Sequence, residues 1–213
     1  MKIYEESALK VAEFLLQIKA IQLQPNKPFT WASGWKSPIY CDNRKSLSFP
    51  KVRTYIRQQL AKAIVEQYGK PDVIAGVATG GIAQGALVAQ ELNLPYVYVR
   101  PEPKKHGLGN QVEGVIEKDQ TVVLVEDLIS TGKSSLNAVE ALRDAGCIVK
   151  GMVAIFTYGF EIADENFLNS KCDIVALSDY DTLITQALKT KYITKNDIDT
   201  LKAWKDNPGG WNQ

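Results

Sequence analysis

The sequence of 213 residues predicts an α/β protein with a central, mostly parallel sheet flanked by helices. Three observations support this fold class. Short apolar runs alternate with segments of helical length, as parallel strands joined by right-handed crossovers require. Residues 122–125 are a continuous apolar run, which is typical of a strand buried on both faces. Chemistry-bearing residues begin at Ala78, Arg100 and Glu126, where predicted strands end and ligands of such sheets collect.

Apolar spacing and helix-boundary residues predict the helices. One face of the first helix carries the apolar residues Ala8, Val11, Ala12, Leu15 and Leu16. A second helix covers residues 50–68, with a proline near its start and Gly69 at its end. A third covers residues 81–92, and a fourth contains Leu136, Val139 and Leu142 and stops at Gly146. Two C-terminal helices are predicted at residues 181–189 and 196–205.

Apolar runs between these helices predict the strands. They lie at residues 72–77, 96–100, 121–125, 148–158 and 174–177. Residues 29–42 are rich in aromatic and turn-forming residues, which indicates short extended pieces. A chain of this length forms one large domain, or one domain with a small appendage.

The most informative segment joins the apolar residues 122–125 to two acids and a turn of small residues. Glu126 and Asp127 follow the apolar run directly. The turn before the next helix contains Ser130, Thr131, Gly132, Lys133 and Ser134. Carboxylates can bind ribose hydroxyls, and hydroxyl groups with the unpaired N–H groups of a helix start can bind phosphate. The segment therefore predicts a strand that stops at the acids and a site for a 5-phosphorylated ribose.

Two other interpretations of this segment are open. The sequence Gly132-Lys133-Ser134 matches the end of an ATP-type phosphate loop, but Asp127 stands where that motif needs its first glycine. An ordinary strand, turn and helix with two solvated acids is the other interpretation. We favour the ribose phosphate site because acids, turn and helix start occur in the expected order.

Three further segments are candidates for binding. Thr79, Gly80 and Gly81 form a strand-to-helix loop in which glycines would let backbone N–H groups approach a pyrophosphate, although a tight turn with positive φ explains them equally well. Residues 100–114 are basic and, taken alone, are typical of a solvated loop. The aromatic residues of segment 29–44 include Trp31, Trp35 and Tyr40, and the two tryptophans could equally be core residues.

Four segments together resemble one enzyme family. FTWASGWKSPIYCDNR (29–44), GVATGGIA (76–83), YVRPEPKKHGLGNQVEG (98–114) and VEDLISTGKS (125–134) are similar, in the same order, to blocks of the orotate phosphoribosyltransferases. These enzymes are type I phosphoribosyltransferases, and the similarity extends over nearly the whole chain. The resemblance implies a pentosyltransferase that moves the phosphoribosyl group of 5-phosphoribosyl 1-pyrophosphate (PRPP) to orotate. The products would be orotidine 5′-monophosphate and pyrophosphate, in the biosynthesis of UMP and other pyrimidines. It also implies a single domain over residues 1–213, in which residues 1–45 contribute a hood over the base pocket.

The resemblance implies roles for most of the residues named above. Asp127 and Glu126 would bind the ribose hydroxyls, the turn after them the 5-phosphate, and the Thr79 loop the pyrophosphate. Residues 100–114 would form a lid that closes over the active site of the neighbouring subunit of a homodimer. Its PRPP-binding residues would be Arg100, Lys104, Lys105 and His106. The implied catalytic residues are Lys104, His106 and Asp127. Mg²⁺ is the implied cofactor, held mainly by PRPP and water.

The orotate site departs from many relatives. Ser33, Lys36, Thr131 and Thr157 are the implied orotate contacts, but Thr157-Tyr158 replaces an Asp-Arg pair whose arginine meets the orotate carboxylate. Arg44 is our candidate for that role because a guanidinium can bind a carboxylate through two hydrogen bonds, and a surface arginine in a turn is the alternative.

Many relatives also have a lysine at three places where this chain has none: Thr79-Gly80, Ala32 and Pro101. These departures leave two alternatives open. One is a phosphoribosyltransferase for another base, and the other is a regulator that binds PRPP without turnover.

Composition excludes several function classes. Lys plus Arg number 25 and Asp plus Glu number 24, so no global charge favours nucleic acid or an anionic membrane. No apolar run approaches the length of a membrane span, and the N-terminus lacks a signal-peptide core. The three cysteines are too scattered for a metal motif or a disulfide framework. We therefore expect a cytoplasmic enzyme with reduced cysteines.

Overall fold

The computed structural model describes residues 1–31, 34–102 and 111–211. Within these residues, eleven strands are present: β1 (Lys2–Ile3), β2 (Ile21–Leu23), β3 (Phe29–Thr30), β4 (Lys36–Ser37), β5 (Ile39–Cys41), β6 (Val73–Val77), β7 (Tyr96–Val99), β8 (Val112–Glu113), β9 (Thr121–Ile129), β10 (Ile148–Thr157) and β11 (Ile174–Asp179). The α-helices in the same residues are α1 (Glu5–Gln17), α2 (Pro50–Tyr68), α3 (Gly81–Leu92), α4 (Lys133–Asp144), α5 (Glu161–Asn169), α6 (Tyr180–Lys189) and α7 (Ile198–Asp206). Short 3₁₀ segments cover Asn43–Ser48 and Lys195–Asp197.

Seven of the described strands form one sheet, in the order β1-β11-β10-β9-β6-β7-β8. The pairs are parallel except for β7 with β8, which is antiparallel. The carboxyl ends of β6, β7 and β9 therefore lie along one edge of the sheet. This edge brings together the three segments that the sequence predicted as binding loops.

Two hydrophobic cores cover the two faces of the sheet. On β9, Val123 and Val125 contribute to a core shared with α1, α2, α3, α6 and α7. Val122 and Leu124 point to the opposite face and contribute to a core shared with α4 and α5. This alternation follows from the period of two residues along a strand. The predicted mostly parallel sheet flanked by helices is confirmed.

Two small antiparallel sheets lie outside the main sheet. Strand β2 pairs with β5, and β3 pairs with β4. Helix α1, in contrast, packs with β11 and α6 in the main helical layer. We call residues 21–48 the hood segment. That residues 1–45 contribute a hood over a bound base remains a prediction.

Several predicted elements agree closely with the structure, and others differ, among them the end of β9 and helix α5. Helix α2 starts at Pro50 and ends at Tyr68, and Gly69 follows it with φ of +68°. The prediction that the strand after residue 121 stops at the acids is wrong, because β9 continues to Ile129 through pairing with Thr157 of β10. Helix α5 was not predicted, since Ala163 and Phe167 are its only buried residues and define no stripe.

Candidate active site

The two adjacent acids of β9 have different environments. Because neighbouring side chains of a strand point to opposite faces of the sheet, Glu126 and Asp127 cannot lie on the same face. Glu126 is buried, and its carboxylate accepts hydrogen bonds from the Ser135 hydroxyl and from the Asp127 N–H, both at 2.9 Å. Asp127 is half-buried at the edge of the sheet. The two acids therefore cannot serve as equivalent ribose ligands in this conformation.

Glu126 connects the end of β9 to the first turn of α4. Burial, with the nearby charge of Asp127, raises the pKa of Glu126 well above its usual range. Its hydrogen bond to Ser135 holds the turn between strand and helix. In this structure Glu126 stabilises the connection between β9 and α4. Its contact with ribose remains a prediction.

Gly80 and Gly81 allow the strand-to-helix loop to pass very close to β9. A Cβ atom on Gly80 would overlap the carboxylate of Asp127, and one on Gly81 would overlap the carbonyl oxygen of Val125. Gly80 itself has φ of −66°, so a positive φ does not explain this glycine. Thr79 is exposed at the same edge, and the Ala78–Thr79 peptide bond is cis. The glycines thus serve close approach between loop and strand.

The turn after β9 leads directly into the start of α4. Gly132 has φ of +79°, and a Cβ atom there would lie 2.7 Å from the Phe167 ring, so both backbone and space require glycine. Asn166 of α5 donates a hydrogen bond of 2.9 Å to the carbonyl oxygen of Thr131. No side chain in the described part of the chain caps α4.

Polar side chains surround this helix start. Ser130 is half-buried, while Thr131, Lys133 and Ser134 are exposed. The first N–H groups and the positive end of the dipole of α4 are therefore in the same stretch of chain as three hydroxyl groups and one ammonium. Such a site is suited to a phosphate group.

Arg100 lies where the basic segment leaves β7. Its guanidinium is 3.5 Å from Glu113 of β8, and its backbone N–H donates to the carbonyl oxygen of Gln111. The Gln111 side chain donates in turn to the carbonyl oxygen of Arg100, at 2.8 Å. These bonds fix both ends of the basic segment. Lys104, Lys105 and His106 lie outside the described residues.

A cavity of about 350 Å³ lies between the hood segment and the ends of β9 and β10. Its lining residues are Thr30, Trp31, Tyr40, Cys41, Leu128, Ser130 and Tyr158. Trp31 and Tyr158 are tilted rings with centroids 5.8 Å apart, while the Tyr40 ring is 37% exposed. Flat aromatic walls next to the phosphate turn suit a planar heterocyclic base.

Two cations of the hood segment lie near this cavity. Lys36 donates a hydrogen bond of 2.9 Å to the hydroxyl of Thr30, which lines the cavity wall. Arg44 is exposed and forms an ion pair of 2.7 Å with Asp42. The hydrogen bond to Asp42, with a smaller effect of the Asp127 charge, raises the pKa of Arg44.

Four predicted orotate contacts do not line this cavity, namely Lys36, Arg44, Thr131 and Thr157. Thr157 is buried, and its hydroxyl accepts a hydrogen bond of 3.0 Å from the Gly159 N–H. This arrangement holds the turn after β10, and direct contact between Thr157 and orotate remains a prediction. Ser33 lies outside the described residues.

Sequence reasoning gave no binding role to three residues that the structure brings to the site. Leu128 and Tyr158 line the cavity, and Asn43 of the hood segment is buried against β9. The longer strand explains Leu128, which lies beyond the point where the strand was expected to stop. For Asn43, the only signal was its position between Asp42 and Arg44 in a segment that resembles family blocks.

Known proteins are similar to this chain over most of its length. Residues 53–175 match the family described as phosphoribosyl transferase domain. An orotate phosphoribosyltransferase of Porphyromonas gingivalis is 55% identical over 201 residues, which are 94% of this chain and 96% of that protein. One of Bacteroides thetaiotaomicron is 58% identical over 200 residues, which are 94% of each protein.

A solved structure is also similar to this chain. The crystal structure of orotate phosphoribosyltransferase from Aeropyrum pernix matches with a TM-score of 0.74 and 30% identity. The match covers 86% of this chain and 99% of that one. The resemblance seen in the four sequence segments is confirmed. The chain therefore belongs to the phosphoribosyl transferase domain family and, within it, to the orotate phosphoribosyltransferases.

Proposed function

We propose that this chain transfers the 5-phosphoribosyl group of PRPP to orotate, which makes it a pentosyltransferase of pyrimidine biosynthesis. The observation that carries the proposal is identity above one half with orotate phosphoribosyltransferases over nearly the full length of both chains. The candidate site agrees with it, since an acid, a phosphate turn and an aromatic cavity adjoin one another at one sheet edge. We also expect a cytoplasmic protein, as the sequence predicted. No helix in the described ranges is both long and apolar enough to span a bilayer.

In this proposal, PRPP binds along the edge formed by β6, β7 and β9. Asp127 binds the ribose hydroxyls, and the Ser130–Ser134 turn with the start of α4 binds the 5-phosphate. The Thr79 loop supplies backbone N–H groups to the pyrophosphate, assisted by Arg100. The contact between Gly80 and Asp127 supports the assignment, because it places the pyrophosphate loop beside the ribose acid.

Orotate binds in the aromatic cavity beside Ser130. The ring would lie against the walls formed by Tyr40 and Tyr158, and Arg44 would bind its carboxylate. Two observations support this role: the Arg44 side chain is exposed, and its ion pair with Asp42 is made through Nε, so the terminal nitrogens can donate to a second carboxylate.

The reaction forms a bond between a ring nitrogen of orotate and the anomeric carbon, and that nitrogen loses its proton to water. The bond from that carbon to the pyrophosphate oxygen breaks, and its electron pair leaves with pyrophosphate. Positive charge builds up on the ribose ring, as in glycoside cleavage. The chain therefore acts by holding the two reactants in line and by stabilising the departing anion, in which Lys104 and His106 take part.

The chemistry of the site fits Mg²⁺. Within residues 1–31, 34–102 and 111–211, no group of three His, Cys, Asp or Glu side chains is placed to hold an ion alone. Asp127 offers one half-buried carboxylate beside the proposed pyrophosphate loop. A single carboxylate suits an ion that keeps substrate oxygens and water as most of its ligands. When bound, Mg²⁺ would offset the charge of the departing pyrophosphate.

We further propose a homodimer in which the basic segment of one subunit completes the active site of the other. The resemblance to the family carries this part, and the fixed ends of the segment at Arg100 and Gln111 support it. In sedimentation, the particle should have twice the 23.6 kDa mass of one chain. Mixing the impaired Lys104→Ala and Asp127→Asn proteins should give more activity than either variant alone, since a hybrid dimer contains one intact site.

A panel of bases tests the proposed substrate. Purified protein is incubated with PRPP, Mg²⁺ and one base at a time (orotate, uracil, adenine or hypoxanthine), and released pyrophosphate is measured. Release with orotate alone is the expected result. Release only with another base would show that Thr157-Tyr158 changes specificity. PRPP binding without release for any base would indicate a regulator.

A further inference from the structure

A chain of buried polar side chains links the hood segment to the ribose and pyrophosphate elements. Its members are Asn43, Ser46 and Gln84, which are 1%, 0% and 1% exposed. Asn43 and Ser46 belong to the 3₁₀ segment of the hood, and Gln84 lies in the first turn of α3. A buried polar group costs free energy unless it is hydrogen-bonded, so these three residues need an explanation.

The first link runs from the hood to the proposed ribose acid. The side-chain amide of Asn43 donates a hydrogen bond of 2.6 Å to the backbone carbonyl oxygen of Asp127. Pairing between β6 and β9 ends at Gly76 and Val125, so at Asp127 a side chain supplies the donor. Asn43 thereby fixes the backbone that carries the Asp127 carboxylate.

The second link runs from the hood to the helix that follows the pyrophosphate loop. The Ser46 hydroxyl donates to the carbonyl oxygen of Asn43 at 2.6 Å and accepts from the Gln84 amide at 3.1 Å. Gln84 lies three residues after Gly81 in α3. The three proposed binding elements are therefore connected through direct hydrogen bonds between buried groups.

The position of Asn43 between Asp42 and Arg44 makes this connection relevant to the base. Arg44, our candidate for the orotate carboxylate, is the next residue in the chain, and Cys41 on the other side lines the aromatic cavity. A shift of Asn43 would move the base-binding residues relative to the ribose acid. Small displacements of this kind misalign reactants without removing any substrate contact.

We propose that Asn43, held by Ser46 and Gln84, is a positioning residue that sets the base-binding hood against the sugar-binding acid Asp127. The inference rests on the proposed function. It assigns Asn43 no contact with either substrate. Its loss should therefore affect turnover more than the affinity for PRPP alone.

Two variants and one control test this role. Asn43→Ala removes the donor to Asp127. Gln84→Met removes the hydrogen bond to Ser46. It also removes Gln84 Oε1, a buried oxygen with no hydrogen-bond partner among the described residues. The fold should therefore tolerate Gln84→Met well. Ser7→Ala is the matched control, because Ser7 is equally buried and its hydroxyl also donates to backbone carbonyls, but at the start of α1.

The measurements are kcat and KM for both substrates, PRPP affinity by calorimetry without orotate, and the melting temperature. We expect Asn43→Ala to lower kcat by about ten- to hundredfold while PRPP affinity changes by less than about threefold. Gln84→Met should lower kcat by a smaller factor with little change in melting temperature. Ser7→Ala should lower only the melting temperature.

Each other outcome overturns the proposal. If folded Asn43→Ala keeps the wild-type kcat, the residue is merely structural, as Ser7 is. If Asn43→Ala does not fold, the test rests on Gln84→Met. Wild-type kinetics of Gln84→Met would then also show that Asn43 is merely structural. If the wild-type protein does not consume orotate, the proposed function fails first, and the positioning role fails with it.

Discussion

The carboxylate of Asp127 lies directly against the Cα atom of Gly80, where the loop after β6 passes the end of β9. Any side chain at position 80 would occupy the space of the carboxylate. Glycine at this position is therefore tied to the acid that we assign to ribose, and two of the predicted binding segments form one packed unit.

The first prediction concerns this contact. Gly80→Ala should lower kcat/KM for PRPP by about ten- to hundredfold, because the added methyl group displaces the Asp127 carboxylate. Asp127→Asn should also weaken PRPP binding and leave the melting temperature nearly unchanged. In an Asp127→Ala background, Gly80→Ala should cost little more, since the clash is gone. If Gly80→Ala lowers kcat/KM for PRPP by the same factor in the wild-type and Asp127→Ala proteins, the account is contradicted.

The second prediction concerns the pH dependence of stability in the ligand-free protein. Burial raises the pKa of Glu126, so the folded state holds this proton more tightly than the unfolded state. The contribution of Glu126 to stability is present below the ordinary glutamate pKa and is lost as pH rises through the raised one. Glu126→Gln should reduce this decline in the free energy of unfolding, measured by urea denaturation between acid and neutral pH. Exposed Glu165→Gln should leave the decline unchanged, and an unchanged decline in Glu126→Gln would refute the prediction.

The third prediction concerns the orotate carboxylate. Arg44→Gln should raise KM for orotate by about ten- to hundredfold, the effect of losing hydrogen bonds between charged groups. KM for PRPP should change little. Arg44→Lys should recover only part of the loss, because an ammonium cannot replace a bidentate guanidinium. Arg143→Gln, at the far end of α4, is the control. If Arg44→Gln behaves like that control, another group binds the carboxylate.

The fourth prediction concerns the basic segment. Lys104→Ala and His106→Ala should each lower turnover by about ten- to thousandfold, the range for losing one electrostatic contributor to a transition state. Lys189→Ala, on the exposed C-terminal end of α6, controls for loss of a positive charge. Steady-state assays with saturating PRPP and orotate measure the effect. Turnover equal to wild type in both variants would remove the lid from the mechanism.

The fold was predictable where local signals and packing agree. Helix α2 has Pro50 at its start and Gly69 after its end, and both boundaries are as predicted. The end of β9 was not predictable, because Glu126 and Asp127 are unfavourable strand residues locally and only pairing with β10 keeps them extended. Tertiary contact outweighed local propensity there.

The site was predictable in its composition more than in its geometry. The sequence indicated which residues lie at the sheet edge, since parallel strands bring their carboxyl ends together. It could not show that Glu126 turns towards Ser135 while Asp127 faces Gly80. Asn43 was missed for a related reason, because its hydrogen bond to Asp127 joins residues 84 positions apart in the chain.

One measurement tests the central claim most directly. Purified protein is mixed with orotate and Mg²⁺, and the ultraviolet absorbance of orotate is followed before and after PRPP is added. The account predicts that absorbance falls only after PRPP is added, with one pyrophosphate released for each orotate consumed. Constant orotate absorbance in the presence of PRPP, from a folded protein that binds PRPP, would contradict it.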